Sequence, residues 1–186
     1  GDWNAVLNAP APAADLPYVR ALWHYARGLA QAERNGLAAA RVELDSVRSI
    51  AARVPDDMII ILNPARSVMN LATEVLSAAI ASKEMRHDAA IKHLHEAVRM
   101  EDALTYDEPP PWYHSPRNLL GTTLLLSNRA AEAEVVFKAD LRKYRDNGWS
   151  LNGLERALRA QGKGKEAADV AARLKQAWRF ADSPAN

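Results

Sequence analysis

The sequence of 186 residues lacks cysteine, an excess of charge of either sign and any long apolar run. Without cysteine there is no disulfide framework, thiolate zinc site or cysteine nucleophile. Lysine and arginine number 24 against 23 aspartate and glutamate, so we expect no basic face for nucleic acid. The longest apolar run, residues 58–62, is far below the roughly 20 residues of a membrane span. We therefore expect neither a nucleic-acid partner nor a membrane span.

Alanine, leucine, arginine, glutamate and lysine dominate the stretches between prolines and glycines, which is typical of helices. Only Met58 to Leu62 resembles a strand, and its length also suits a buried loop or a helical turn. Asn63 could cap the helix that follows it, with Pro64 in the first turn. The spacing of apolar residues predicts eight helices, over residues 17–34, 37–53, 64–82, 88–100, 117–127, 130–145, 150–161 and 165–180.

The predicted helices form four hairpins, and the hairpins repeat one another. Ala133 and Ala167 are 34 residues apart, and the apolar residues around them align at the same spacing. Ala90 aligns with Ala133 at a spacing of 43, and Ala40 aligns with Ala90 at a spacing of 50. The extra residues fall in the proline-rich loops 106–116 and 55–64. A small residue at this position lets paired helices approach closely.

This period, with Leu120-Gly121, Leu124, Ala133 and Phe137 in the third hairpin and Leu154, Leu158, Gly162 and Ala167 in the fourth, resembles the tetratricopeptide repeat family. The resemblance implies an all-α, right-handed superhelical solenoid of about four hairpins, near residues 17–54, 63–101, 116–146 and 149–180, within a domain of residues 15–183. Residues 101–163 also resemble the C-terminal part of larger bacterial proteins of this family.

The first 14 residues look like a truncated helix of a preceding repeat followed by a proline-rich linker. We expect the chain to begin inside a longer solenoid, so any targeting signal would lie upstream and the compartment is not predicted. A severed edge would expose the apolar Trp3, Val6 and Leu7. Self-association through this edge is therefore one predicted interaction.

The family resemblance implies a concave groove lined by the first helix of each hairpin, and hence a protein or peptide partner. Asparagine can pair with the backbone of an extended peptide, arginine can receive a carboxylate, and aromatic residues can serve as apolar anchors. The alternative is that these helix faces are simply solvated. The predicted groove residues are Tyr25, Asn118, Thr122, Trp149, Asn152, Arg156 and Arg159.

The proline-rich loop offers a second candidate region, whose rim residues are Asp107, Glu108, Trp112, Tyr113 and His114. Carboxylates followed by a histidine could hold a divalent metal or a small ligand, which is the alternative function. Carboxylates beside prolines also describe an ordinary solvated loop. The two aromatic residues could instead fold back onto the hairpins and fix the loop.

No motif for a nucleophile, a phosphate loop or a dinucleotide site occurs in the sequence. Gly162-Lys163-Gly164-Lys165 superficially resembles a phosphate loop, but its alignment with residues 128–131 makes it an inter-helix turn. No two histidines lie at the spacing that would place both on one helix face. We therefore predict no enzymatic activity, no catalytic residues, no resident metal and no cofactor, and interpret the chain as an interaction scaffold.

Overall fold

The computed structural model describes residues 2–181, and nearly all of their regular structure is helical. The all-α prediction is confirmed for this part of the chain. Across the same residues, no helix combines the length and the hydrophobicity that crossing a membrane requires. The helices are α1 (Trp3–Asn8), α2 (Pro17–Glu33), α3 (Leu37–Arg53), α4 (Ala65–Lys83), α5 (His87–Asp102), α6 (Pro116–Leu126), α7 (Ala130–Lys143), α8 (Gly148–Ala160) and α9 (Gly164–Ala177).

The chain divides into two compact units, one that ends at Tyr113 and one that begins at His114. The first contains helices α1 to α5, and the second contains α6 to α9. The division falls inside the proline-rich loop. The single domain over residues 15–183 stays a prediction, and its last two residues lie outside the described part of the chain.

Four helical hairpins, α2–α3, α4–α5, α6–α7 and α8–α9, share one turn geometry. In each turn a single residue has a positive φ: Asn35 at 60°, Met85 at 59°, Asn128 at 58° and Gly162 at 74°. The next amide donates to the carbonyl five residues earlier, at 2.8, 2.9, 2.9 and 3.0 Å. This 6→1 bond is the Schellman closure of a helix. Because the turns recur at the spacings found in the sequence, backbone geometry supports the alignment of the hairpins.

The same alanine position lies at the helix crossing of every hairpin. Ala40, Ala90, Ala133 and Ala167 are all fully buried, as their predicted role requires. In the first unit α4 is the central helix, with eleven buried residues, and it packs against α2, α3 and α5. The second unit is built around the ring of Phe137, which is almost fully buried. Close helix crossings thus organise both units.

The segment before α4 differs from its prediction. Ile59–Ile60 pairs antiparallel with Asn63–Pro64, which makes two short strands, β1 and β2. Asn63 does not cap α4, whose first residue is Ala65 and whose N-terminal side receives no side-chain cap. The Asn63 amide instead binds the backbone of Thr105, donating to its carbonyl at 3.0 Å and accepting from its amide at 2.8 Å. A long-range contact has displaced the local cap.

A buried carboxylate joins α7 to the α8–α9 turn. Glu134 is 8% exposed and accepts hydrogen bonds from Lys138 Nζ at 2.5 Å, Lys163 Nζ at 2.7 Å and Gln161 Nε2 at 2.8 Å. The bond from Lys138, followed by that from Lys163, lowers the pKa of Glu134 to about 2. The ordinary value is 4.5. The folded state therefore favours the ionised carboxylate more strongly than the unfolded state does.

We expect Glu134→Gln to remove a pH-dependent part of the stability. The depressed folded-state pKa means that the stabilisation is fully present above pH 4.5 and is lost as the pH falls toward 2. The free energy of unfolding should drop by about 1–3 kcal/mol at pH 7 and by much less near pH 2. Urea unfolding at a series of pH values measures this difference. Glu132→Gln, in an exposed pair on the same helix, is the control; an equal loss in both variants would contradict the prediction.

Candidate functional site

The groove residue predicted in the first unit is a core residue. Tyr25 is 8% exposed, and its ring packs against Trp112 with 5.4 Å between the ring centroids. Burial, together with the nearby Tyr113, raises the pKa of Tyr25. The sequence pattern placed Tyr25 on an outward face, but the proline-rich loop covers that face of α2. Tyr25 is therefore not an exposed anchor.

The six groove residues predicted in the second unit divide by exposure. Thr122, Arg156 and Arg159 are exposed, and Arg159 pairs with Glu155 of its own helix. Trp149 is 60% exposed and meets Trp178 edge-on, with the ring centroids 5.2 Å apart. The other two residues are less accessible: Asn152 is half-buried and Asn118 is buried.

Asn118 belongs to a buried polar cluster that links α6, α7 and α8. Ser150 Oγ lies 2.6 Å from Asp140 Oδ2 and 2.8 Å from the Asn118 amide. Asn147 Nδ2 donates to the same Asp140 oxygen at 2.8 Å. Serine has one proton, so it donates to Asp140 and accepts from the Asn118 amide. This corrects the prediction for Asn118, whose side chain holds helices together instead of meeting a peptide.

The rim residues of the proline-rich loop serve mainly local roles. Trp112 is buried against Tyr25, as the fold-back interpretation predicted, whereas Tyr113 is 83% exposed. Asp107 accepts a hydrogen bond from the Glu108 amide at 2.9 Å, and the Tyr106 hydroxyl donates to Glu108. These carboxylates therefore already have partners within the loop.

The metal-binding alternative gains no support from the described residues. No group of three or more histidine, aspartate or glutamate side chains within residues 2–181 comes close enough together to hold a metal ion. His114 belongs to the second unit, whereas Asp107 and Glu108 belong to the first. Burial lowers the pKa of His114, and the negative charge of Asp140 partly opposes this shift.

A site that the sequence analysis missed lies on the N-terminal side of the first unit. Arg20, Trp23, Arg27 and Arg34 follow one stripe of α2, which we call the α2 donor face. Each side chain donates to an oxygen of the N-terminal segment, residues 2–16. Arg20 Nη1 binds the Pro12 carbonyl at 3.0 Å, Trp23 Nε1 the Ala9 carbonyl at 3.1 Å, Arg27 Nη1 the Leu7 carbonyl at 2.7 Å, and Arg34 Nη1 the Asn4 Oδ1 at 2.6 Å.

The N-terminal segment runs antiparallel to α2, because its contacts move toward its start as the donors move along the helix. Three of the four acceptors are main-chain carbonyls, so most of the recognition does not depend on side chains of the segment. Helix α1 has no buried residue, and its apolar Trp3, Val6 and Leu7 are half-buried. The segment is thus held chiefly by hydrogen bonds to the α2 donor face.

A second layer of contacts positions the donors. Glu43 of α3 accepts from Arg27 Nε at 2.8 Å and pairs with His24 Nδ1 at 2.6 Å. The Arg27 guanidinium lies over the Trp23 ring at 4.5 Å, and the His24 ring meets the same indole edge-on at 4.8 Å. Trp23 is therefore fixed between two side chains that a single carboxylate holds. The donor face is arranged by the hairpin itself and not only by the segment bound to it.

The second hairpin carries the same inter-helix pair with its members exchanged. His93 of α5 pairs with Glu74 of α4 at 2.7 Å. Glu74 is 50 residues after His24, and His93 is 50 residues after Glu43, which is the spacing of the two turns. The position next to Arg27, however, is occupied in the second hairpin by Ser77, Ala78 and Ala79. The pair is thus a repeated feature of these hairpins, whereas the donor face belongs to the first hairpin.

Comparison with protein-family models, with curated proteins and with solved structures gives no match for this chain. Its function is therefore inferred from the geometry above. The sequence carried one usable signal for the donor face, namely two arginines and a tryptophan at helical spacing after an alanine–proline stretch.

Proposed function

We propose that the chain is a non-enzymatic protein- or peptide-binding scaffold, and that the α2 donor face is a binding surface for an extended segment. The supporting observation is that four α2 side chains donate to oxygens of residues that lie outside the hairpins. Hydrogen bonds from charged donors are about twice as strong as neutral ones, and three of the four donors are arginines. Main-chain carbonyls are the recognition groups that every extended segment presents.

The proposal includes a fold of tetratricopeptide type, in which the four hairpins continue as a right-handed superhelix. The repeated turns and the buried alanine position support this assignment. The exposed Thr122, Trp149 and Arg156 of the second unit supply the part of the predicted groove that a partner can reach. In this view the second unit adds contacts of its own, while the α2 donor face recognises the backbone of the partner.

The proposal is tested with an immobilised peptide of residues 2–16 and the whole chain in solution. We expect surface plasmon resonance to show retention of the wild type. The double variant Trp23→Phe/Arg27→Gln should be retained about tenfold less, because it loses the indole N–H and one guanidinium donor to the peptide.

The matched control is Trp178→Phe/Arg173→Gln, which changes the same residue types in the second unit. Arg173 Nη2 also donates to a main-chain carbonyl, that of Arg145 at 3.0 Å. Retention of this control should equal that of the wild type. If the control and the α2 variant lost retention equally, or if neither did, the assignment of the α2 donor face would be wrong.

A further inference from the structure

The part of the N-terminal segment that contacts Arg20 and Trp23 has the sequence Ala9-Pro10-Ala11-Pro12. Proline fixes its own φ near −65°, and it drives the preceding residue toward extended conformations. Ala9, which precedes a proline, has φ −61° and ψ 130°. These values are close to those of the polyproline II helix. The bound stretch is therefore a short polyproline II element by both sequence and backbone angles.

The spacing of its contacts matches the period of that helix. The two carbonyls bound by Trp23 and Arg20 belong to Ala9 and Pro12, which are three residues apart. Polyproline II has three residues per turn, so these carbonyls point to the same side. In a β-strand, residues three apart point to opposite sides. Trp23 and Arg20 therefore read a three-residue repeat of carbonyl groups.

The donor face also suits a segment that has few amide hydrogens. Arginine and tryptophan side chains are donors only, so they pair with carbonyls and offer nothing to a backbone N–H. Pro10 and Pro12 have no N–H, and their carbonyls are the acceptors that remain. A polyproline II segment is also already extended before it binds, which lowers the entropic cost of association.

We propose that the α2 donor face selects proline-containing polyproline II segments of a partner protein, and that the chain's own residues 9–12 act as an intramolecular competitor. This inference rests on the proposed function. A short tether gives the internal segment an effective concentration in the millimolar range. A partner segment binds well only when the internal one is released or weakened, so the N-terminal segment sets the threshold for partner binding.

The test uses the whole chain with Pro10→Gly and Pro12→Gly, which we call the opened variant. Glycine removes the conformational restriction of proline, so the internal segment should occupy the face less. The probes are two fluorescein-labelled peptides: the sequence of residues 5–16, and the same sequence with both prolines replaced by glycine. Fluorescence anisotropy measures their affinities. The opened variant should keep its melting temperature to within about 3 °C, because α1 contributes no buried residue.

We expect the opened variant to bind the proline peptide about tenfold more tightly than the wild type does, because the competitor is weakened. It should bind the glycine peptide about fivefold more weakly than the proline peptide. Adding Trp23→Phe to the opened variant should weaken binding of the proline peptide about fivefold, and adding Trp178→Phe should not.

Three outcomes would overturn the inference. Equal affinity for the two peptides would remove the selection for polyproline II and leave the proposed scaffold function intact. Absence of binding to either peptide would remove both the inference and the α2 donor face as a binding surface. Dimerisation of the wild type in light scattering, abolished by Trp23→Phe, would assign the face to the N-terminal segment of a second copy instead of a partner.

Discussion

Gly153→Ala is expected to destabilise the second unit by about 2 kcal/mol, although alanine is the better helix former by about 1 kcal/mol. A Cβ built on Gly153 would lie 2.1 Å from Cζ of Phe137. That ring is almost fully buried, and a Cβ on Gly121 would approach it to 2.4 Å from the other side. The ring is confined between two glycines on α6 and α8, so it cannot move away from a new methyl group.

The measurement is urea unfolding of the whole chain, with Gly164→Ala as the matched control. A Cβ on Gly164 meets nothing within 4 Å, so this variant should change stability by less than about 0.5 kcal/mol. Phe137→Leu should cost about 1–2 kcal/mol alone and less in the Gly153→Ala background, because the smaller side chain makes room for the methyl group. Strictly additive losses would show that the ring and the methyl group do not collide.

The hairpins could be predicted because their determinants are local. An alanine that must be small, and a turn residue one short step before it, recur at fixed spacing in the sequence and in the backbone. The predicted end of the last helix was less accurate: α9 ends at Ala177, three residues before the expected Phe180. Helix ends depend on capping contacts that apolar spacing does not encode.

The sites could be predicted less well because their partners are distant in sequence. Tyr25 and Asn118 occupy the helix positions expected to face a groove, but Trp112 covers one and Ser150 binds the other. The α2 donor face depends on carbonyl groups of the N-terminal segment, which any residue carries. Periodicity assigns a residue to a helix face, and only the tertiary structure shows what covers that face.

Asp140 of the buried polar cluster has the other large expected effect. Its side chain is fully buried, and one carboxylate oxygen accepts from both Ser150 and Asn147. The other oxygen, Oδ1, is buried and has no hydrogen-bond partner among the described residues. Asp140→Ala would leave the Ser150 hydroxyl and the Asn147 amide without their acceptor and would create a cavity. We expect a loss of about 3 kcal/mol in the free energy of unfolding.

Asp140→Asn tests whether the charge or the hydrogen bonds matter. The amide has nearly the same shape and keeps one acceptor for Ser150, and Asn147 can present its own carbonyl oxygen after rotation of its amide. The loss should therefore be about 1 kcal/mol. Asp169→Ala, at an exposed position of α9, is the control and should change stability by less than about 0.5 kcal/mol. A loss in Asp140→Ala no larger than in this control would contradict a stabilising role for the cluster.

The pKa of His114 gives a second readout of the same change. The charge of Asp140 raises that pKa and so opposes the effect of burial, which lowers it. Removing the negative charge in Asp140→Asn therefore disfavours the imidazolium, and the pKa of His114 should fall further below its ordinary value. Titration of the His114 ring by NMR measures this shift. A pKa that did not move would show that Asp140 acts on its neighbours through hydrogen bonds alone, whereas a fall would establish that the buried carboxylate is ionised in the folded protein.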